Sequence, residues 1–167
     1  KAYFFLMGFF FALIQTVSAQ DQRLADSLER IYLTQKIPDT VKLELLRDLA
    51  YNENRDLDLG IRYAEELIEL STKLGNKLYQ YRGYLQKGNK LATTGYPDAA
   101  MQANVKSAAL AKMVGNVKGQ GTALGAIGDS YANAKNFPNA MLYYYKAIDV
   151  LRTTGDSVLL ATIISNA

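Results

Sequence analysis

The sequence predicts an all-α chain of stacked antiparallel helix hairpins. Apolar residues recur at helical period through most of its length, as in Leu124, Ile127, Gly128 and Tyr131, then Ala140, Tyr144, Ala147, Ile148 and Leu151, each set forming one stripe of an α-helix. Gly75-Asn76, Gly115-Asn116 and Gly155-Asp156 recur forty residues apart, as do Gly88 and Gly128. A fixed period of that size signals a solenoid of helix hairpins. Hydrophobic residues make up 49% of the chain and only 3 of its 167 residues are proline, which favours a helical globular domain over disorder.

The N-terminal stretch reads as a leader. Lys1 supplies a short positive region, Ala2–Ile14 is almost wholly apolar and aromatic, and Val17-Ser18-Ala19 places small residues before Gln20. This is the pattern of a secretory signal peptide over residues 1–19 with an A-x-A-like cleavage site. The apolar run falls short of the roughly 20 residues that a spanning helix needs. The expected address is therefore export, to the periplasm or the extracytoplasmic face of a bacterial membrane. Membrane contact is expected only through the leader or a segment downstream.

Residues 20–39 predict a capping helix and linker. Leu24, Leu28, Ile31 and Tyr32 fall on one face, and Asp21 suits a helix N-terminus. Terminal repeats of a stack need a polar outer face. Ile37-Pro38-Asp39-Thr40 breaks the pattern, with Asp39 or Thr40 as the next N-cap.

From 40 to 167 the chain predicts a repeat array with units at about 40–76, 77–116 and 117–156, and the start of a fourth, truncated, over 157–167. First helices are expected at Val41–Asn54, Leu78–Thr94 and Val117–Ala134, and second helices at Gly60–Leu74, Ala100–Val114 and Ala140–Thr154. Each recurring Gly follows an amphipathic helix and suits the left-handed residue that ends it. Pro138 fits the first turn of a second helix, where its missing N–H is harmless. Tyr96-Pro97-Asp98 parallels Phe137-Pro138-Asn139 at an offset of 41, so one turn is expected to differ by a residue. The apolar 157–167 stretch ends without a partner helix, which leads to the expectation of a longer parent protein.

Composition narrows the chemistry. The net charge is +3, or +2 without Lys1, and the basic residues are scattered, so no nucleic-acid stripe is expected. The chain has no Cys and no His, which removes thiol and imidazole catalysis and the usual transition-metal sites. Glu65-Glu66 lies beside Arg62 and Glu69 with no second carboxylate pair to meet it, and reads as a solvated face. Gly119-Gln120-Gly121 with Gly125 and Gly128 has the wrong spacing for a dinucleotide fingerprint and no preceding strand. Gly121, Gly125 and Gly128 read as a helix-packing face or a thin groove wall. Catalytic, cofactor and metal residues are expected to be none.

The third unit resembles a tetratricopeptide repeat. Leu124, Ile127-Gly128 and Tyr131 match the family's first-helix pattern, and Ala140, Tyr144 and Ala147 its second. The second unit matches more loosely through Tyr84, Lys87-Gly88, Leu91, Ala99 or Ala100 and Ser107. The first is degenerate, with Leu46, Leu49-Ala50, Gly60 and Ala64 and a turn about two residues shorter. The resemblance implies a right-handed superhelical solenoid, of the superfamily's long-period kind. These matching positions are packing residues, with Gly128 and Ala147 small so that two backbones can approach.

The resemblance also implies a protein or peptide ligand in a concave groove lined by the first helices. By register the candidates are Arg82, Gln86, Asn89 and Thr93 in the second unit and Thr122, Ala126, Asp129 and Asn133 in the third, with Tyr51, Asn54 and Arg55 as poorer ones. Leu85 and Ala126 occupy positions where the carboxylate-clamp version of the groove needs Lys and Asn, which argues against that motif. The overall layout is similar to the exported N-terminal region of bacterial signalling proteins, where repeats precede a transmembrane helix and a histidine kinase, nucleotide cyclase or DNA-binding regulator. That likeness implies a non-enzymatic interaction or sensory domain. The alternatives are a secreted scaffold for envelope assembly without signalling, and the receptor end of an enzyme whose catalytic domain lies elsewhere.

Overall fold

The computed structural model describes residues 22–167. The leader over Lys1–Ala19 and the first-turn acid Asp21 lie outside the described residues. Helix α1 covers 22–34, followed by α2 (Asp39–Asn52), α3 (Leu57–Lys73), α4 (Lys77–Thr93), α5 (Pro97–Met113), α6 (Val117–Asn133) and α7 (Phe137–Leu151). A 3₁₀ turn (Arg152–Thr154) leads to α8 (Ser157–Asn166). The chain is an all-α helical-repeat solenoid, with no strand among the described residues.

The turns explain the regularity. Gly75, Gly95, Gly115 and Gly155 have φ of 66°, 87°, 68° and 67°, and Lys135 takes the same left-handed form at 57°. The period visible as forty residues is thus a twenty-residue rhythm, one helix per step. Asn76, Tyr96, Asn116 and Asn136 return their backbone N–H to the carbonyls of Ser71, Leu91, Ala111 and Tyr131 at 2.8 or 2.9 Å, closing the preceding helix. The side chains of Asp56, Asn76, Asn116, Asn136 and Asp156 also accept an N–H three residues on, capping the next helix. One residue thus serves both helix ends, so a short link suffices. Tyr96 has no such side chain, and Pro97 follows it at the start of α5, where a missing N–H costs nothing.

Lys135 departs from glycine at this position, and a left-handed residue with a Cβ carries a penalty of roughly 1–2 kcal/mol. Lys135→Gly is expected to raise stability by about 0.5–1 kcal/mol after the entropy glycine adds to the unfolded chain. Urea unfolding measures it, and an unchanged midpoint would show that the lysine carries no strain.

Several boundaries differ from the expected ones. The second helices begin three residues earlier than read, at Leu57, Pro97 and Phe137, because the cap residue starts the helix before the apolar stripe does. Pro97 and Pro138 differ by 41, yet their helices start forty apart: the prolines occupy the first and second positions of turns of equal length. Asp39 and Thr40 are not the N-cap of α2. Pro38 holds that place without a side-chain bond, and Asp39 lies in the first turn. The shortened first unit owes nothing to a shorter turn. Helix α2 stops two residues past Ala50, where α4 and α6 run five past Gly88 and Gly128, and its link, 53–56, is one residue longer than the others.

The core forms along the helix pairs. Leu43, Leu46 and Leu49 of α2 pack with Tyr63, Ala64 and Leu67 of α3, and Leu28 and Tyr32 of α1 cover that cluster. The buried stripe of α1 includes Ala25, at 1% exposure, while Leu24 and Ile31 from the expected stripe stay partly in solvent. Tyr32 donates to Glu66, and Tyr63 to Glu29 at 2.7 Å, so α1 is also held by phenol–carboxylate bonds. Glu66 is therefore not simply solvated, and Glu65 pairs with Lys87 at 2.6 Å. At the other end, Ala140, Tyr144, Ala147, Ile148 and Leu151 pack with Ile163 of α8 and are flanked by Leu124 and Tyr131.

Helix α6 accepts large side chains at its glycines. A Cβ at Gly119 would lie 2.7 Å from the Tyr81 ring, one at Gly121 2.5 Å from Leu151 Cδ2, and one at Gly128 2.6 Å from the Tyr144 ring, while Gly125 receives Ile163. The glycine stripe is a packing face. Gly128 makes room for an aromatic side chain, which corrects the expectation of backbone approach. The first helices α2, α4, α6 and α8 also touch one another in series, and no comparable contact joins α3 to α5 or α5 to α7. This places the first helices on the inner side of the stack.

Candidate functional site: the inner groove

Two adjoining hollows lie on this inner face. One, of about 410 Å³, is lined by Tyr51, Asn54 and Leu57 from the first hairpin and by Gln86, Asn89, Lys90 and Thr93 of α4. The other, of about 480 Å³, runs between Arg47, Asp48 and Tyr51 on α2, Arg82, Leu85 and Gln86 on α4, and Lys118 and Thr122 on α6. Tyr51 and Gln86 border both, so the hollows form one groove across α2, α4 and α6.

The fold gathers five of the eight residues named as groove candidates by register, Arg82, Gln86, Asn89, Thr93 and Thr122, while Ala126 lines neither hollow. Tyr51 and Asn54, read as poorer candidates, line it too, and Tyr51 is 63% exposed although it is a large ring. Exposed aromatic surface in a groove is a common anchor for a partner. The hydroxyls of Thr93 and Thr122 bond back to Asn89 O and Lys118 O at 3.1 and 3.0 Å, so they shape the wall more than they offer free donors. The Arg82 guanidinium lies 5.3 Å from the Tyr79 ring, a cation–π arrangement that forms no ion pair among the described residues. Arg47 is held by Glu44 and by Asp48 at 2.7 Å, and Lys118 by Asp156 at 2.9 Å.

Asp129 and Asn133 stand apart. Asp129 accepts the Tyr144 hydroxyl at 2.7 Å and the Asn166 amide at 3.2 Å, and so is engaged by α7 and α8. Asn133 is exposed at the last position of α6 and lines neither hollow. Asn89 lies forty residues before Asp129 but is unencumbered, because the residue forty before Tyr144 is Asn104, too short to reach across. The substitution of one core side chain thus decides which groove residue is available.

Sequence reasoning missed Lys90. It is only 5% exposed, and burial, opposed by the smaller pull of Glu53, holds its ammonium below the usual lysine pKa. The available signal was Gly60, which stands where the later units have Ala100 and Ala140. A Cβ at Gly60 would lie 2.5 Å from Lys90 Cε, so this glycine opens the slot that the lysine stem fills. Among the described residues no group of His, Cys, Asp or Glu could hold a metal, and no helix is long and apolar enough to cross a membrane.

The fold is of the tetratricopeptide-repeat type. The chain is similar to the TPR domain of Arabidopsis FLU, with a TM-score of 0.64 at 21% identity over 70% of this chain and 99% of that one. It is also similar to BtubC (BKLC) from P. vanneervenii, with a TM-score of 0.67 at 10% identity over 92% of this chain and 68% of that one. No protein-family model matches the sequence, and no curated protein does.

Proposed function

We propose that this chain is an exported, non-catalytic protein-interaction domain whose inner groove holds an extended peptide segment of a partner. The observation that carries this is the groove itself: amides at Asn54, Gln86 and Asn89 and the exposed Tyr51 ring converge on one channel spanning three helices. Side-chain amides can donate to and accept from a peptide backbone, and helical solenoids bind through such concave surfaces. The fold likeness to a TPR domain supports the reading. The leader pattern over residues 1–19 supports export, and the layout supports placement ahead of a membrane anchor and a signalling output module.

Selection of random dodecapeptides on the purified chain tests the groove. Recovered peptides are expected to weaken about tenfold or more against a Gln86→Ala, Asn89→Ala double variant, as loss of two hydrogen-bonding groups implies. Peptides indifferent to both changes, with the variant folded by circular dichroism, would place binding elsewhere. Export is checked separately by fusing residues 1–20 to a phosphatase that is active only outside the cytoplasm; a silent fusion would sink that part.

A further inference from the structure

Lys90, almost fully buried, is among the residues that line the first hollow. Its stem runs through the slot left by Gly60, and its Nζ donates to Glu53 O at 2.5 Å and to Asn54 Oδ1 at 3.4 Å. An ammonium has three donors. One bond here is short, one is long, and the third donor has no partner among the described residues. Both acceptors are neutral, and Lys90 forms no ion pair among the described residues. The Glu53 carboxylate is engaged elsewhere, accepting the N–H groups of Arg55 and Asp56 at 3.0 and 2.9 Å and the Gln22 amide at 2.9 Å. A cation taken out of water is costly unless it is paired, and the nearby Glu53 carboxylate attracts Lys90 without forming a direct ion pair with it.

We propose that the hollow over Lys90 takes the carboxylate of an acidic side chain carried by the peptide in the groove, with the Lys90 ammonium as its counter-charge. This rests on the peptide-groove reading above. The surrounding side chains suit that occupant: Tyr51, Asn54, Gln86, Asn89 and Thr93 are all uncharged, and no carboxylate lines the hollow to repel it. The amides of Gln86 and Asn89 can donate to a carboxylate oxygen alongside the lysine. A single buried cation matches a monoanion and leaves a phosphate dianion half uncompensated. The groove continues past Tyr51 and Gln86 into the second hollow, so the ligand extends beyond Lys90, which selects a side chain over a free small acid.

Two measurements test this. Degenerate decapeptide pools with a fixed central Glu or a fixed central Gln are passed over the immobilised chain and over Lys90→Met, whose unbranched stem still fills the Gly60 slot. The Glu pool is expected to be retained about tenfold better than the Gln pool, the worth of one charge-assisted bond, and the two to be equal on Lys90→Met. Equal retention on the native chain, or a preference that survives in Lys90→Met, would overturn the proposal. Separately, the chain is labelled with ¹³Cε-lysine and titrated with sodium propionate against sodium chloride at equal ionic strength. A saturable shift of the Lys90 resonance with propionate alone is expected; its absence overturns the carboxylate site whether or not peptides bind. Failure of both pools beside a clear propionate shift would instead overturn the peptide groove and mark a small-acid site. Circular dichroism, with Lys90→Gln as a second variant, guards against misfolding.

Discussion

Tyr144→Ala is expected to lower unfolding stability by about 3–5 kcal/mol, the usual cost of emptying a buried aromatic position. The ring is 3% exposed and seats against Gly128, where a Cβ would lie 2.6 Å from it. With a helix backbone for its wall, the vacated space has no nearby side chain to collapse into it from Gly128. Domains of this size hold only about 5–15 kcal/mol in total, so the loss would be visible as a large fall in the urea midpoint. Tyr144→Phe separates the ring from its hydroxyl: it removes only the bond to Asp129 and should cost about 1 kcal/mol, since the half-buried carboxylate can take water instead. Burial first, and the Asp129 bond second, push the phenol well above its ordinary pKa. A group raised in this way contributes stability below its unfolded pKa and loses it as pH rises through the folded one. The native protein should therefore lose this contribution only at strongly alkaline pH, and Tyr144→Phe should lack that alkaline limb. An alanine variant within 1 kcal/mol of the native chain would show that the third hairpin does not depend on this ring.

How much of this was legible depends on whether a residue's role follows from its neighbours in the chain. Gly75, Gly115 and Gly155 end helices through a local backbone conformation, so spacing alone exposed them. Gly95 obeys the same rule but was passed over beside Pro97, and Lys135 was hidden because it is the exception to the glycine preference. The stripe Leu124, Ile127 and Tyr131 was readable for the same reason: period is a local property. The groove candidates Arg82, Gln86, Asn89 and Thr93 followed from helix register, since residues off the buried stripe of an inner helix must face the groove. Asp129 obeys that register and is still engaged, because its partner Tyr144 lies on another helix. Lys90 was illegible for the mirror reason. A lysine normally reads as solvated, and its burial depends on Gly60, thirty residues away. The α1 stripe failed in a third way: the helix turns Ala25 inward and leaves Leu24 half exposed, while Leu28 and Tyr32 cover the α2–α3 cluster, so the buried face follows the docking angle of α1 and not the largest apolar residues.

Asn104→Leu is expected to stabilise the protein by about 1–2 kcal/mol. Asn104 is fully buried, and neither its Oδ1 nor its Nδ2 has a hydrogen-bond partner among the described residues. Leaving an amide unsatisfied costs about 1–3 kcal/mol, whereas an apolar group of similar shape incurs no such cost. Other buried polar side chains show the contrast: Ser107 donates to Tyr81 O at 2.9 Å and Ser71 to Ile68 O at 3.1 Å. Asn104 faces Gly88, where a Cβ would lie 2.7 Å from its Cγ, the same seat that Gly128 offers Tyr144. Leucine keeps the branched shape of asparagine, but its two methyls are bulkier than the amide oxygen and nitrogen, so overpacking, which costs about 1–3 kcal/mol when it occurs, offsets part of what is gained by burying apolar groups there. The urea midpoint should rise with an unchanged slope. A fall would mean that the amide gains more from its surroundings in solution than burial takes from it. Tyrosine at this position, as in the third unit, would reach toward Asn89 as Tyr144 reaches Asp129. The short side chain sacrifices stability and leaves Asn89 open in the groove, so an Asn104→Leu variant should be more stable and bind the selected peptides as the native chain does.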